Sequence, residues 1–222
     1  MPHHGPRAVR ALIPHLDYYG ESRPTVKQGG DLFDFVPLLG GALSLFIGEA
    51  EFALSKVQNF LRGCVADLHG DPAEVITEVN KFACKVAPGD LSGMLFCARL
   101  DPVHGEFRYA SARQPALLVR KRTNRVRELE STGTVLGLSS RVGWRERRFQ
   151  MEPGDLIAAF TGDPRSEDVS RILLEDPRAR ATDLVRRILY ETECHSVVVA
   201  RFLGEEVCQL EEESAELALA VA

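Results

Sequence analysis

The sequence predicts an α+β protein in which two antiparallel β-sheets pack face to face and helices cover their outer faces. Short apolar segments typical of strands recur along the chain. Two pairs of helical segments separate the strand clusters, and this arrangement favours two packed sheets over one parallel sheet. The 222 residues are 45% hydrophobic, which is enough to bury one substantial core.

The first predicted elements are a buried strand and two helices. A continuous apolar run predicts the strand over Ala42–Ile47. The next helix has apolar residues at helical spacing, namely Val57, Phe60, Leu61, Cys64, Val65 and Leu68. A second helix begins at Asp71–Glu74, because Asp71 can cap it and a proline suits the first turn. Its predicted buried face contains Val75, Ile76, Val79, Phe82, Ala83 and Val86.

The remaining elements are mostly short strands. The turn residues Asp101–Gly105 predict a hairpin between Met94–Leu100 and Glu106–Ser111. Further strands are predicted over Ala116–Arg120, Val126–Leu129, Trp144–Met151 and Leu156–Thr161. Two helices follow near Glu167–Leu174 and Thr182–Glu191, before a closing hairpin of Ser196–Leu203 with Glu206–Leu210.

Composition narrows the class of protein. A net charge of −5 argues against nucleic acid as a partner, and the local basic runs around residues 120–127 and 145–148 are predicted to be solvated faces. Five scattered cysteines predict no disulfide framework and fit a reducing cytoplasm. No stretch approaches the roughly 18 apolar residues of a membrane span. We therefore expect one cytoplasmic domain over residues 1–210, followed by an acidic and alanine-rich tail over residues 211–222.

The most informative motif is the heptad Gly29-Gly30-Asp31-Leu32-Phe33-Asp34-Phe35. Two glycines remove the side chains that would keep a carboxylate from approaching a metal-bound phosphate. The heptad resembles the Gly-Gly-Asp-aromatic-aromatic-Asp-aromatic motif of the SpoIIE-type branch of the metal-dependent serine/threonine phosphatases, the PPM family. Further segments resemble family landmarks in the same order: Leu12–Pro14, Glu21–Pro24, Leu45–Gly48, Thr132–Leu138 and Glu152–Leu156.

The resemblance extends from about Arg10 to Leu203 and implies a four-layer α/β/β/α sandwich. Members of this family place two Mn²⁺ or Mg²⁺ ions between the sheets, and a bridging water attacks the phosphorus of phosphoserine or phosphothreonine. Paired cations acidify that water and neutralise charge on the phosphoryl oxygens. A two-metal Mn or Mg site is therefore the cofactor that the resemblance implies.

Four acidic positions supply the protein ligands in this family, and this chain matches one of them unchanged. Asp31 is the first ligand, and Glu49 with the adjacent Ala50 occupies the second position, where the family has Asp. The third and fourth positions correspond to Asp163 and Glu193.

Each of the last three positions departs from the family pattern. Glutamate at 49 and 193 moves the carboxylate by about a bond length, whereas metal distances tolerate only tenths of an ångström. The aromatic-Thr-Asp-Gly turn has its last two residues exchanged, as Gly162-Asp163, and such a shift at a strand end turns a side chain to the opposite face. The neighbouring Cys194 and His195 could suggest a metal pair, but adjacent strand residues point apart, so we expect a buried Cys and a surface His.

A substrate or partner cleft is expected around the altered motifs. Its candidate residues are Gly29, Gly30, Asp34, Glu51, Phe52 and Arg113. Glu51 and Phe52 place bulk where the family has a glycine-containing turn, and Arg113 lies where the family has Ala-Gly-His-Pro. Phe52 has a second explanation, as the first buried residue of the helix that continues through Val57.

These observations leave two functional hypotheses. The favoured one is a catalytically impaired SpoIIE-type domain, a pseudophosphatase that binds a regulatory protein. The alternative is a divergent active phosphatase using Asp31, Glu49, Asp163 and Glu193. The resemblance implies a phosphoserine or phosphothreonine protein as partner, often an anti-sigma-factor antagonist, and a homodimer is possible. Neither a Gly-X-Ser-X-Gly elbow nor a phosphate-binding glycine loop is present.

Overall fold

The structure is a computed structural model that describes residues 13–23, 30–50, 54–86 and 92–204. Within these residues there are ten strands and four helices. The strands are β1 (Leu16–Ser22), β2 (Gly30–Pro37), β3 (Leu43–Ala50), β4 (Gly93–Asp101), β5 (Glu106–Ala112), β6 (Ala116–Arg120), β7 (Arg125–Glu128), β8 (Arg147–Gln150), β9 (Leu156–Gly162) and β10 (Cys194–Phe202). The helices are α1 (Leu54–Asp67), α2 (Pro72–Val86), α3 (Ser166–Glu175) and α4 (Ala181–Glu191).

The strands form two antiparallel five-stranded sheets. The first sheet has the order β1-β10-β9-β6-β7 and the second has the order β2-β3-β4-β5-β8. All of the pairings are antiparallel. The predicted α+β class with two packed sheets is confirmed.

Three apolar layers hold the sandwich together, because alternate residues of each strand face opposite sides. The central layer lies between the sheets and includes Phe33 and Phe35 of β2 with Val198 of β10. The outer face of the first sheet packs against α3 and α4, whereas that of the second packs against α1 and α2. The resulting order is the α/β/β/α arrangement expected for four layers.

The start of α2 follows the predicted capping chemistry. The Asp71 carboxylate accepts hydrogen bonds from the backbone N–H groups of Ala73 and Glu74, at 3.1 and 3.0 Å, which satisfies donors that the first turn leaves free. In the predicted buried face, Val75, Ile76, Val79 and Ala83 are buried and Phe82 is partly buried, whereas Val86 is 48% exposed.

Two predictions about the strands need correction, one about a strand's limits and one about strand pairing. Trp144 lies outside the four-residue strand β8 and packs instead against the α1 and α2 layer, where its indole N–H donates to the Thr134 carbonyl at 3.0 Å. The closing hairpin differs as well, since β10 pairs with β1 and β9. Its predicted partner, Glu206–Leu210, lies outside the described residues. Among the described residues, no helix has the length and apolar character needed to cross a membrane.

Candidate functional site

The candidate site lies where β2 and β3 of one sheet face β9 and β10 of the other. Asp31 is the second residue of β2 and lies on the same face as Phe33 and Phe35, so its carboxylate points between the sheets. Its Oδ2 atom accepts a hydrogen bond from the Thr161 hydroxyl at 2.5 Å and another from the Ser196 hydroxyl at 2.9 Å. One carboxylate oxygen therefore joins β2 to both β9 and β10.

The hydroxyl groups form a connected network around Asp31. Thr161 Oγ1 also accepts the backbone N–H of Ser196 at 3.0 Å, which fixes the two hydroxyl-bearing strands relative to each other. The Ser196 hydroxyl lies 2.7 Å from the Ser22 hydroxyl of β1. The Asp31 side chain is only 9% exposed, so these hydroxyls provide much of its solvation.

Glu49 is the second acid of the site and lies opposite Asp31 in the β2–β3 register. Burial raises the pKa of the Glu49 carboxyl above its ordinary value, and the negative charge of Asp31 raises it further. A hydrogen bond from the Gly162 backbone N–H and the charge of His195 oppose this rise. The protein thus holds the second acid where ionisation is unfavourable.

The exchanged turn after β9 places Gly162, rather than an acid, against the neighbouring strand. Gly162 has a φ of +94°, and a Cβ atom there would lie 2.5 Å from the Glu193 carbonyl oxygen. Asp163 is exposed, although its charge is close enough to contribute to the raised pKa of Glu49. The structure therefore brings Asp31, Glu49 and Asp163 into one electrostatic neighbourhood.

The segment before β10 separates its three candidate side chains. Glu193 is exposed and lies beside a register irregularity between Cys194 and Val197. Cys194 is buried against the α3 and α4 layer, and burial raises the pKa of its thiol to about 11. His195 is partly exposed, with Nδ1 4.0 Å from Asp31 Oδ2. Cys194 and His195 thus face opposite sides, as expected for neighbours on a strand.

These donors do not fit a two-metal centre. Across the described ranges, no group of three or more His, Cys, Asp or Glu side chains is placed to hold a metal ion. The one unchanged ligand position, Asp31, has an oxygen already engaged by two hydroxyl donors. Ala50 pairs with Gly30 at the end of the β2–β3 ladder. The described acids around Asp31 therefore do not supply a convergent set of metal ligands.

The described members of the predicted cleft, Gly30, Asp34 and Arg113, do not form one site. Asp34 lies on the opposite face of β2, fully buried, where its carboxylate pairs with the Arg62 guanidinium of α1 and accepts the Phe35 backbone N–H. It therefore fastens a helix to the sheet and does not join Asp31 in a cleft. Gly30 lies at the start of β2. Gly29, Glu51 and Phe52 lie outside the described residues.

Arg113 lines a different cavity, of about 220 Å³, beside β6, β7 and the start of α3. It is exposed and has a φ of +64°, a conformation that favours glycine. The adjacent Gln114 is buried and donates to the Phe160 carbonyl at 2.6 Å. The lining of this cavity includes Glu128 and Ser166 but none of the acids around Asp31.

The local sequence predicts the acids of the site but not the hydroxyl groups that bind Asp31. Thr161 and Ser196 lie within the family motifs, next to the acidic positions. Their partners lie 130 and 165 residues away in the chain, so no local pattern reveals the contact. The available signal was that each hydroxyl lies beside an altered ligand position.

Comparison with known proteins assigns the chain to a family. The profile described as Stage II sporulation protein E (SpoIIE) matches residues 49–188, which is more than half of the chain. The chain belongs to the SpoIIE family. This membership and the observed layers confirm the predicted resemblance to a SpoIIE-type PPM domain.

The chain is also similar to individual proteins of known sequence or structure. Phosphoserine phosphatase RsbU of Bacillus subtilis (strain 168) is 24% identical over 190 residues, which cover 78% of this chain and 56% of RsbU. The RsbU and RsbW domains of Rv1364c from Mycobacterium tuberculosis superpose with a TM-score of 0.68 at 23% identity, covering 87% of this chain and 61% of that one. The SiaA-PP2C domain of Pseudomonas aeruginosa gives a TM-score of 0.65 at 12% identity, covering 85% and 86%. The chain thus spans little more than half of the first two relatives, and the structural matches show a shared fold.

Proposed function

We propose that this SpoIIE-family chain is a signalling domain with impaired or absent phosphatase activity, which acts by binding a regulatory protein. It works as one cytoplasmic domain over residues 1–210, and it requires little or no Mn²⁺ or Mg²⁺. The observation that carries the proposal is the engagement of Asp31 by Thr161 and Ser196, where a phosphatase of this family needs the carboxylate for metal.

The turn after β9 gives further support to the proposal. The left-handed Gly162 packs closely on the Glu193 carbonyl, so an acid cannot replace it without moving the turn. Recovering the family's third ligand therefore requires a change in backbone as well as in side chains.

The names of the relatives support a class of partner. RsbU is named a phosphoserine phosphatase, and the Mycobacterium tuberculosis structure joins an RsbU domain to an RsbW domain. A phosphoserine or phosphothreonine protein, of the kind represented by anti-sigma-factor antagonists, is accordingly the proposed ligand. Binding without turnover would make the domain a competitor or a scaffold for such a regulator.

A divergent active phosphatase is the second candidate, because Asp31 and Asp163 are close enough to Glu49 for their charges to raise its pKa. On this alternative, Glu193 would supply the fourth acid after rearrangement of its exposed segment. Both candidates use the same cleft, so activity measurements distinguish them.

The test compares hydrolysis of p-nitrophenyl phosphate and of a phosphoserine peptide, with and without Mn²⁺, by the native chain and by Asp31→Asn. We expect the two proteins to show the same background rate. A matched gain-of-function variant combines Glu49→Asp, Gly162→Asp, Asp163→Gly and Glu193→Asp, since ligands around shared ions act as a unit. Mn²⁺-dependent turnover by the native chain that Asp31→Asn abolishes would establish the active alternative.

A further inference from the structure

The net negative charge of the chain comes from its last 18 residues. The C-terminal segment 205–222 contains six glutamates and no lysine, arginine or histidine, whereas the whole chain has a net charge of −5. Residues 1–204 therefore carry a formal charge of +1. Such an asymmetry between a body and a tail indicates an electrostatic partner for the tail.

A complementary surface lies where the two sheets end side by side. Strands β7 and β8 are edge strands of different sheets, and the Arg127 guanidinium lies 5.2 Å from the centroid of the Phe149 ring, which places these edges together. The basic edge is defined here as Lys121, Arg122, Arg125, Arg127 and Arg147, all of which are exposed.

Most of the charge on the basic edge lacks an acidic partner. Within the described ranges, Lys121, Arg125 and Arg127 form no ion pair. Arg147 contacts Glu130 at 3.2 Å and Arg122 contacts Glu152 at 3.9 Å, but all four of these side chains are more than half exposed. Exposed pairs of this kind are weak and exchange readily for another carboxylate.

The described chain ends beside this surface. Gly204 lies against Pro153, and its carbonyl is 3.1 Å from His15 Nδ1. Gly154, which follows Pro153, is covered by the aliphatic part of Lys121. The described chain therefore ends close to one end of the basic edge, and the C-terminal segment 205–222 follows it. Eighteen extended residues reach roughly 60 Å, whereas a four-residue strand such as β7 is only about 13 Å long.

We propose that the C-terminal segment 205–222 docks on the basic edge of the same molecule. Its glutamates pair with Lys121, Arg125 and Arg127, and the segment covers the unpaired edges of both sheets. Each ion pair is weak, but the tether gives the segment a high effective concentration, so several pairs together suffice. Open strand edges also promote association between chains, and a docked acidic segment blocks that pairing.

Paramagnetic broadening in the full chain tests this placement. A nitroxide is attached to Cys208 in a Cys84→Ser background, since Cys64, Cys97 and Cys194 are buried. At low salt we expect selective loss of amide signal intensity over residues 121–127 and at Arg147. Raising NaCl to about 0.5 M, where the Debye length is roughly 4 Å, should restore those signals.

Charge variants provide the matched controls. Lys121→Glu with Arg125→Glu should abolish the broadening, while Arg141→Glu with Arg178→Glu, at exposed arginines elsewhere, should leave it intact. Adding Glu212→Lys and Glu213→Lys to the first pair should restore it. Broadening that is absent from the edge, insensitive to these charges, or present only between labelled and unlabelled chains in a mixture would overturn docking within one molecule.

Discussion

At the scale of single residues, Asp31 connects the two sheets. Its Oδ2 atom accepts hydrogen bonds from hydroxyls of β9 and β10, at the position that the family resemblance predicts to be a metal ligand. A hydrogen bond to a charged, mostly buried group contributes about 1.5–3 kcal/mol. The network therefore contributes measurably to the free energy of unfolding.

Thr161→Val tests that contribution, because it removes the hydroxyl and keeps the shape of the side chain. We expect the free energy of unfolding in urea to fall by about 1–3 kcal/mol, since Asp31 and the Ser196 N–H both lose a partner. Thr123→Val, at an exposed turn, is the control and should have little effect. The double variant Thr161→Val with Asp31→Asn should lose less free energy of unfolding than the sum of the two single losses. A loss equal to that sum would show that the contact contributes nothing.

Glu49→Gln should stabilise the protein at neutral pH. Burial and the Asp31 charge raise the folded-state pKa of Glu49 above its ordinary value of 4.5, so the folded protein holds the proton more tightly than the unfolded chain. Stability from this group is complete below that value and is lost as the pH rises through the folded pKa. The variant should thus melt at a higher temperature than the native chain at pH 7.

The advantage of Glu49→Gln should shrink as the pH approaches about 4, where the native side chain is protonated in both states. Glu193→Gln removes an exposed acid nearby and is the matched control. An equal change in melting temperature for both variants, or an advantage independent of pH, would argue against the environment assigned to Glu49.

At the scale of secondary-structure elements, the turn after β9 determines which groups face the candidate site. Gly162 adopts a left-handed conformation in which a Cβ atom would lie 2.5 Å from the Glu193 carbonyl oxygen, and the next residue, Asp163, is exposed. The order Gly162-Asp163, which reverses the Asp-Gly order of the family motif, therefore corresponds to a defined backbone arrangement.

Gly162→Ala should destabilise the protein by about 1–3 kcal/mol, the usual penalty for a side chain at positive φ, and the short approach to Glu193 adds to it. Thermal unfolding measures the loss. Gly143→Ala is the control, because a Cβ there meets nothing within 4 Å and its φ is not left-handed. Equal melting temperatures for the two variants would mean that the turn adapts easily.

Most elements could be predicted from local sequence, because their signals lie within a few residues. The cap at Asp71, the turn before β5 and the run Ala116–Arg120 gave their positions directly. Asn80 was missed because a polar residue was not assigned to the buried face of α2. It is fully buried, and its amide accepts the Gly137 N–H and donates to the Ser139 carbonyl, both at 2.9 Å.

The candidate site could be predicted only in part. The family motifs gave the positions of Asp31 and Glu49, and strand pairing brings these two together. The motifs did not reveal that Asp34 pairs with Arg62 on the opposite face of β2. Alternation of side chains along the strand places Asp34 and Asp31 on different faces. Contacts between the sheets, such as those of Thr161 and Ser196, depend on the packed fold and not on local spacing.

At the scale of the whole molecule, the fold is that of a SpoIIE-type PPM domain, whereas the acids expected to bind metal do not converge. The sheets are joined at the candidate site by hydroxyl groups and a carboxylate, and we therefore expect stability not to depend on a cation there. Anything that binds only the folded state raises the melting temperature, and its removal lowers it.

Calorimetric titration of the full, metal-stripped chain with Mn²⁺ tests the central claim, that the fold is retained while the two-metal centre is lost, most directly. We expect only weak heats that Asp31→Asn does not change, because two lengthened acids and one displaced acid cannot hold two ions. The melting temperature should likewise be the same with and without a chelator. Two sites with low-micromolar dissociation constants that disappear in Asp31→Asn would contradict the account.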